Sequence, residues 1–469
     1  MTGELWRWPA ARLAAAYRDG SLSPVEVLTA VQARTAAIDP QLNALVTPDP
    51  SSPAQAEESA RRLAAGHPRG MLEGIPVAVK DNLETAGLRT TWGTRGLADF
   101  VPAADELPVA RLRAAGAVIV GKTNVPEFTL EGYTGNPVFG TTRNPWDPRL
   151  TPGGSSGGAV AGVAAGLFPL ALCTDGGGSI RRPASHTGVV GFKPSIGAAA
   201  RVGGLPQLLL DFEVVGTVAR TVDDAAMLFD AIRGPDPRDR KSLCVPAAAA
   251  RDAPLRILYA PAQAGCPVDP QIRSSVRRAA DALADLGHRV DEGGLPLDLD
   301  FFTSFWPIIG QVGLARLFDL QPALRAWASA KYVEMAAAGA AVPAARFLEG
   351  LERIEALRRA ATALFASIDV VMTPSAAALP WPADEAFPAM IDGTPVGPRG
   401  HAVFTGWVNA CGQPGLALPA EPSAEGLPIG FQLIAGFGCD ALLLDLGRAF
   451  ERVRPWADRW PPLPATLVR

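Results

Sequence analysis

An alternation of short β-branched runs with helical stretches restricts the fold of this chain more than any other feature. Residues 75–79 and 117–120 have the length and composition of buried strands, and residues 107–115 between them read as a helix closed by Gly116. Strand, helix and strand in that order predict an α/β fold, a large parallel or mixed sheet covered by helices. The rhythm returns later. Residues 255–259, 288–291, 369–372, 416–418 and 429–434 read as strands, residues 269–286 as an amphipathic helix, and residues 301–366 as mainly helical. Ahead of the first strand, residues 10–17 read as a helix with Leu13 and Ala14 on one face, stopped by Asp19-Gly20. Ser23-Pro24-Val25-Glu26 reads as a capping box with proline at the first helical position. The helix it opens should run to about Ile38, with Val25, Leu28, Val31 and Ala36 near its buried side, until Asp39-Pro40 ends it. Residues 246–254, rich in alanine and proline, read as a surface connection.

Composition narrows the class. With 469 residues, 48% hydrophobic and only 19% charged, the chain can bury a sizeable core. The net charge is −4 and no Lys/Arg block clusters, which argues against a nucleic-acid partner or an anionic membrane surface. The five cysteines are scattered and form no C-x-x-C pair, so neither a disulfide framework nor a zinc site is expected. No basic segment followed by an apolar one opens the chain. The apolar run over residues 159–173 is broken by Gly162, Gly166 and Pro169 and is too short to span a bilayer. A soluble, cytoplasmic protein is expected.

Two motifs match patterns whose physics they do not fit. Gly116-Ala-Val-Ile-Val-Gly121-Lys122-Thr123 satisfies the P-loop pattern. A P-loop, however, wraps a phosphate with the N–H groups between its glycines, and here those residues are themselves a strand preceded by a helix. Gly154-Ser155-Ser156-Gly157-Gly158 satisfies G-x-S-x-G, the nucleophile elbow of α/β-hydrolases. That elbow needs a strand before it, whereas residues 143–152 are turn-formers with three prolines. It also needs a late histidine base. His186 lies close to the glycine-serine region, His288 falls between a helix and a strand, and His401 sits in a loop.

Three segments fit another chemistry. In Gly74-Ile-Pro-Val-Ala-Val-Lys80-Asp81-Asn82 a lysine ends an apolar strand; the others are Gly153-Gly154-Ser155-Ser156-Gly157-Gly158 and Thr174-Asp175-Gly176-Gly177-Gly178-Ser179-Ile180-Arg181. Alone, each has a plain explanation: a solvated lysine, a turn, a helix N-cap at Ser179. Together they supply acyl transfer. A serine hydroxyl needs a base within hydrogen-bond reach, and a lysine serves if burial keeps it neutral. Val77, Ala78 and Val79 offer that burial, with Asp81 pulling the other way. A second serine relays the proton if it is held rigidly, and Gly176, Gly177 and Gly178 offer N–H donors for the oxyanion.

At these residues the chain resembles the amidase signature family. The likeness extends to Gly121-Lys-Thr-Asn-Val-Pro-Glu-Phe128, Asn144-Pro-Trp-Asp147, Gly188-Val-Val-Gly-Phe-Lys-Pro194 and Gly426-Leu-Pro-Ile-Gly-Phe-Gln432, with Ser155 and Ser179 spaced 24 residues apart as in the family. The resemblance implies one domain over residues 1–469 around a mixed sheet of about eleven strands between helical layers. N-terminal helices would occupy about residues 1–65, a catalytic core about 66–235, and a variable half about 255–469 would complete the sheet and pocket. It implies a triad in which Ser179 attacks, Ser155 relays the proton after a cis peptide from Gly154, and Lys80 is the base. The backbone from Gly176 to Ser179 would form the oxyanion hole, and no metal or organic cofactor is implied.

The chain departs from the family's pattern at Gly176, where threonine or isoleucine is commoner, and at Arg182, where an aliphatic residue is usual. His186-Thr187 and Gln413 depart too. The extra glycine should loosen or reshape the oxyanion loop, Arg182 should seek a carboxylate inside the fold, and His186 reads as structural before pocket-lining. Leu130, Gly132 and Tyr133, the segment Phe301, Phe302, Phe305 and Trp306, residues 387–403 and Trp407 are candidate pocket walls, although a helical core explains Phe301 to Trp306 equally well. The expected activity is hydrolysis of small-molecule amides, apolar or aryl ones first, with carbamates and esters open to the same chemistry, by a monomer or homodimer. Two other readings stand beside it: an amidotransferase subunit that releases ammonia from glutamine for a partner chain, and a non-catalytic binding protein on the same fold.

Overall fold

The structure is a computed structural model that describes residues 4–245, 254–263 and 265–463. Eleven strands form one mixed sheet. In chain order they are β1 (Leu45–Pro48), β2 (Pro76–Lys80), β3 (Val118–Thr123), β4 (Leu170–Asp175), β5 (Val190–Lys193) and β6 (Val214–Ala219). The others are β7 (Arg256–Tyr259), β8 (Arg289–Glu292), β9 (Val370–Pro374), β10 (Gly415–Pro419) and β11 (Gly430–Ala435). Across the sheet they run β1-β3-β2-β4-β6-β5-β10-β11-β9-β7-β8. Strands β3, β2 and β4 are mutually parallel, as are β9, β7 and β8; every other neighbour is antiparallel.

The central strands are buried on both faces, and the period of two along each strand sorts their side chains. Val77, Val79, Ile119, Leu170 and Leu172 enter one core, with Val109 and Leu112 of the helix Leu107–Ala114. Ala78, Val118, Val120, Ala171 and Cys173 enter the other, against the wholly buried helix Gly157–Ala165. A helix apolar on all sides belongs between layers. Its glycines allow that approach, since a Cβ on Gly158 would stand 2.4 Å from the Asn124 nitrogen. Among the described residues no helix is long and apolar enough to cross a membrane.

The mixed sheet and most strand positions match the expectation, with local differences. The capping box at Ser23 forms, yet its helix runs Pro24–Leu42, through Asp39-Pro40. The proline gives up its N–H bond and crowds the preceding turn, yet the helix continues past it, and its end is secured by Asn43 in the left-handed region and by Asp39, whose carboxylate accepts from Ala44 and Leu45 N–H. Its buried face is Val27, Leu28, Val31, Ile38 and Leu42, whereas Val25 and Ala36 are exposed. The apolar run over 159–173 divides into a helix and β4, because Gly166 at φ 77° ends the helix and reverses the chain. The surface connection expected over residues 246–254 falls, except for Pro254, outside the described residues.

Candidate active site

Lys80 is the last residue of β2, a strand buried along its whole length between β3 and β4. Its Nζ donates to Ser155 Oγ at 2.9 Å, to the Thr174 carbonyl at 3.1 Å and to Thr174 Oγ1 at 3.0 Å. Thr174 Oγ1 also accepts from Asn82 Nδ2 at 3.0 Å, so two neighbouring strand ends fix the ammonium. Burial pushes Lys80 down to about 8, against the opposing pull of Glu213, Cys173 and Asp175. Asp81 is not among the charges that act most strongly on Lys80. Its carboxylate accepts from Thr91 N–H and Oγ1 and faces Lys122, the lysine of the P-loop-like motif. Lys122 is fully buried in β3 and bonds the Leu83 carbonyl, Thr85 and Thr90. It is a structural residue of the sheet.

The segment around Ser155 is held from several directions. The Gly154–Ser155 peptide is cis, and Ser155 is buried. A Cβ on Gly154 would lie 2.2 Å from the Tyr133 carbonyl oxygen, so only glycine fits. Thr134 Oγ1 donates to the Gly153 carbonyl at 2.9 Å and accepts from Gly157 N–H at 3.2 Å. Ser156 N–H donates to the Ser179 carbonyl at 3.1 Å, which ties the two serine-bearing loops side by side. Ser155 Oγ is bonded to Lys80, and no bond joins it to the Ser179 hydroxyl. Ser179 is 8% exposed. It precedes Ile180, the residue that caps the helix Arg181–Thr187, so it is not an N-cap.

The loop before Ser179 is clamped by charge. Asp175, at the end of β4, accepts from Gly178 N–H at 2.7 Å and Ile180 N–H at 3.0 Å, and from Arg181 Nη2 at 3.0 Å. Burial alone would raise its pKa, but Arg181 outweighs it and holds the carboxyl below the ordinary carboxylate range. Arg181 also reaches Gln432 Oε1 at 2.8 Å, the Thr405 carbonyl at 3.1 Å and Asn409 Oδ1. Asn409 Nδ2 returns to the Asp175 carbonyl at 2.8 Å, and Thr405 Oγ1 donates to the Gly177 carbonyl at 2.8 Å.

This clamp corrects one expected role. The Gly178 N–H is spent on Asp175, so Gly178 shapes the loop, at φ 109°, and offers no donor to an oxyanion. The N–H groups of Gly176, Gly177 and Ser179 enter no such bond. At Gly176 a Cβ would stand 2.6 Å from Leu209 Cδ1; here Leu209 fills the space that a larger loop residue would need.

The expected pocket walls divide. Trp306 lies over Gly177 and, with Phe302, Pro307, Arg399 and Val403, lines a cavity of about 50 Å³ beside the loop. Tyr133 contributes its backbone against Gly154, while its hydroxyl accepts from Lys331 at 2.8 Å. Gly132 makes room for His401, whose Nε2 would stand 2.3 Å from a Cβ there. Leu130 packs on the neighbouring core with Phe128 and Leu314. Trp407 is not a wall: it is fully buried with Phe305 and Val408. Arg182 finds no carboxylate, contrary to expectation. Its Nε reaches the Gly178 carbonyl at 3.4 Å, and its buried Nη1 has no partner. His186 is anchored by Nε2 to the Ala378 carbonyl at 3.1 Å and by the edge of Trp381. Thr405 and Asn409 escaped the sequence reading. They lie more than 220 residues from the loop they hold, and nothing local marks them.

An eleven-stranded mixed sheet brings Lys80, Ser155 and Ser179 together beside a clamped glycine loop. The chain belongs to the amidase signature family, whose sequence model, described as Amidase, matches residues 26–444. It is 35% identical to a glutamyl-tRNA(Gln) amidotransferase subunit of Picosynechococcus sp., over 94% of this chain and 97% of that protein. It is 33% identical to an acylamidase of Rhodococcus erythropolis, over 98% of both chains. Among solved structures, a bacterial aryl acylamidase of the amidase signature family superposes with a TM-score of 0.88 at 28% identity, over 97% of this chain and 99% of that one.

Proposed function

We propose that the protein hydrolyses the C–N bond of small-molecule amides through an acyl-enzyme on Ser179. The observation that carries this reading is the buried contact of Lys80 Nζ with Ser155 Oγ at 2.9 Å, beside a loop that presents Ser179. In the ammonium form, three protons match three acceptors. In the neutral form, two N–H bonds suffice for Thr174 and the lone pair faces the Ser155 hydroxyl.

The Ser179 oxygen bonds to the substrate carbonyl carbon while its proton passes to Ser155, whose own proton passes to Lys80. The resulting oxyanion takes N–H donors from Gly176, Gly177 and Ser179; loss of one such donor costs about 3 kcal/mol in comparable sites. Collapse breaks the C–N bond, and the proton returns through Ser155 to the departing amine. Water then repeats the sequence on the acyl-enzyme and releases the acid.

Phe302, Trp306 and Pro307 edge a cavity beside the loop, and these apolar side chains support an apolar group on one side of the scissile bond. Carbamates and esters present the same carbonyl to the same groups. The test is a panel of anilides, primary amides, esters and carbamates against wild type, Ser179→Ala and Lys80→Ala. Hydrolysis by wild type and its loss in both variants is the expected result; a Ser179→Ala protein that keeps full activity contradicts the mechanism.

A second reading, an amidotransferase subunit that draws ammonia from glutamine, is favoured by the 35% identity to such a protein over nearly the whole chain. It predicts glutaminase activity dependent on a partner chain. Anilide hydrolysis by the isolated protein, without glutaminase activity, decides for the first reading.

A further inference from the structure

Arg182 is out of place as a structural residue. It is 3% exposed, yet its Nη1 has no partner and its one side-chain bond, from Nε to the Gly178 carbonyl, is long at 3.4 Å. The carboxylate whose charge acts on it, Asp175, is already engaged by Arg181 and by the loop N–H groups. Burial and the neighbouring Arg399 push the Arg182 guanidinium down to about 9, so it remains cationic at neutral pH. A buried, half-satisfied cation is unfavourable unless something pairs with it.

The surroundings lean the same way. His401, 2% exposed, leaves both ring nitrogens unpartnered, and Arg182 is the charge that acts most strongly on it. Burial and these cations hold His401 neutral, with one N–H to donate. The ring lies 4.7 Å from Trp381, which also packs on His186. His186 differs: its Nε2 is committed to a carbonyl, so its free Nδ1 offers a lone pair and no proton. Arg399 borders the cavity beside Gly177. Glu131 is the acid facing Arg399, and it is paired with Lys331 at 2.9 Å. Unpartnered donors on Arg182 and His401 therefore collect beside the Ser179 loop, with the Nδ1 lone pair of His186 as an unpartnered acceptor nearby.

We infer that Arg182, with His401, binds a carboxylate carried by the substrate that Ser179 attacks. A guanidinium matches a carboxylate in geometry and charge, and the pairing is strongest where water is excluded. The inference rests on the amide-hydrolase reading and narrows it: the substrate has an apolar part toward Trp306 and an anionic group toward Arg182.

The test measures binding to Ser179→Ala, which lacks the nucleophile. The half-anilides of succinic and glutaric acid place a carboxylate on the acyl side; the butyramides of 3- and 4-aminobenzoic acid place it on the amine side. Each acid is compared with its neutral methyl ester by calorimetry. At least one acid should bind on the order of tenfold more tightly than its ester, and Arg182→Met in the same background should abolish the difference. Equal affinities for every acid and ester, a preference that survives Arg182→Met, or no saturable binding of any acid at millimolar concentration would overturn the inference. If Arg182→Met melts well below its parent, His401→Leu is read instead. A severalfold loss of acid binding is then expected, and unchanged binding overturns the inference. Failure of the hydrolase reading shows separately, as wild-type protein that releases neither aniline from the half-anilides nor aminobenzoic acid from the butyramides.

Discussion

Asp175 and Arg181 form a fully buried ion pair, with Nη2 3.0 Å from Oδ1, and the pair spans the glycine loop that carries Ser179. Two backbone N–H groups of that loop end on the carboxylate, while the guanidinium reaches Asn409 and Gln432 on later elements. Ion pair and loop geometry are therefore one unit. Asp175→Ala leaves Arg181 buried without its partner, a change that costs about 3–5 kcal/mol. Chemical denaturation of the variant should show a loss of that order, with loss of hydrolysis. A variant as stable and active as wild type would show that the pair does not hold the loop.

Gly178 occupies φ 109°, and a Cβ there would stand 2.1 Å from Thr405 Oγ1. Gly178→Ala forces either the loop or Thr405 to move. Strain of this kind costs about 1–3 kcal/mol, and a displaced oxyanion donor should lower kcat by on the order of tenfold or more. Steady-state kinetics beside a melting curve separate a reshaped loop from an unfolded protein.

Thr174 bonds Lys80 through both its carbonyl and Oγ1. Thr174→Val keeps the shape and removes the hydroxyl acceptor, which is worth about 1 kcal/mol. Lys80 then swings more freely, and kcat/KM should fall by about fivefold with KM little changed. Unaltered kinetics would show that Thr174 does not position the lysine.

The pH dependence follows from burial of Lys80, whose pKa is lowered to about 8. On the proposed mechanism the working form is the neutral amine, so the active fraction should rise as pH climbs toward 8 and level off above it. For a neutral anilide, kcat/KM should gain nearly tenfold per pH unit below that point. A flat profile from mildly acidic to mildly alkaline pH contradicts a lysine base.

Much of this was legible in the sequence because it is local. Runs of strand length located β2, β3, β7, β8, β9, β10 and β11, and Lys80, Ser155 and Ser179 stood out through the glycines around them. Strand β4 was hidden, because its apolar residues continue those of the preceding helix and only Gly166 separates the two. Strands β1 and β5 are only four residues long, and β6, Val214–Ala219, is interrupted by Gly216. The holding groups were illegible for a different reason. Asn409 and Thr405 are ordinary residues until the sheet brings them to Arg181, and Gln432, though it ends a family-like stretch, gave no sign of this partner. Arg182 misled in a useful way. Local chemistry demanded a carboxylate, and the fold supplies none.

The central claim is that Ser179 is the nucleophile and that Lys80, through Ser155, makes it reactive. The most direct measurement is fluorophosphonate labelling followed by intact-mass and peptide analysis of wild type, Ser179→Ala and Lys80→Met. The account predicts a single adduct on Ser179 in wild type, none in Ser179→Ala, and a rate lower by on the order of a hundredfold or more in Lys80→Met. An adduct on another residue, or labelling of Ser179 that proceeds at the wild-type rate without Lys80, would contradict it.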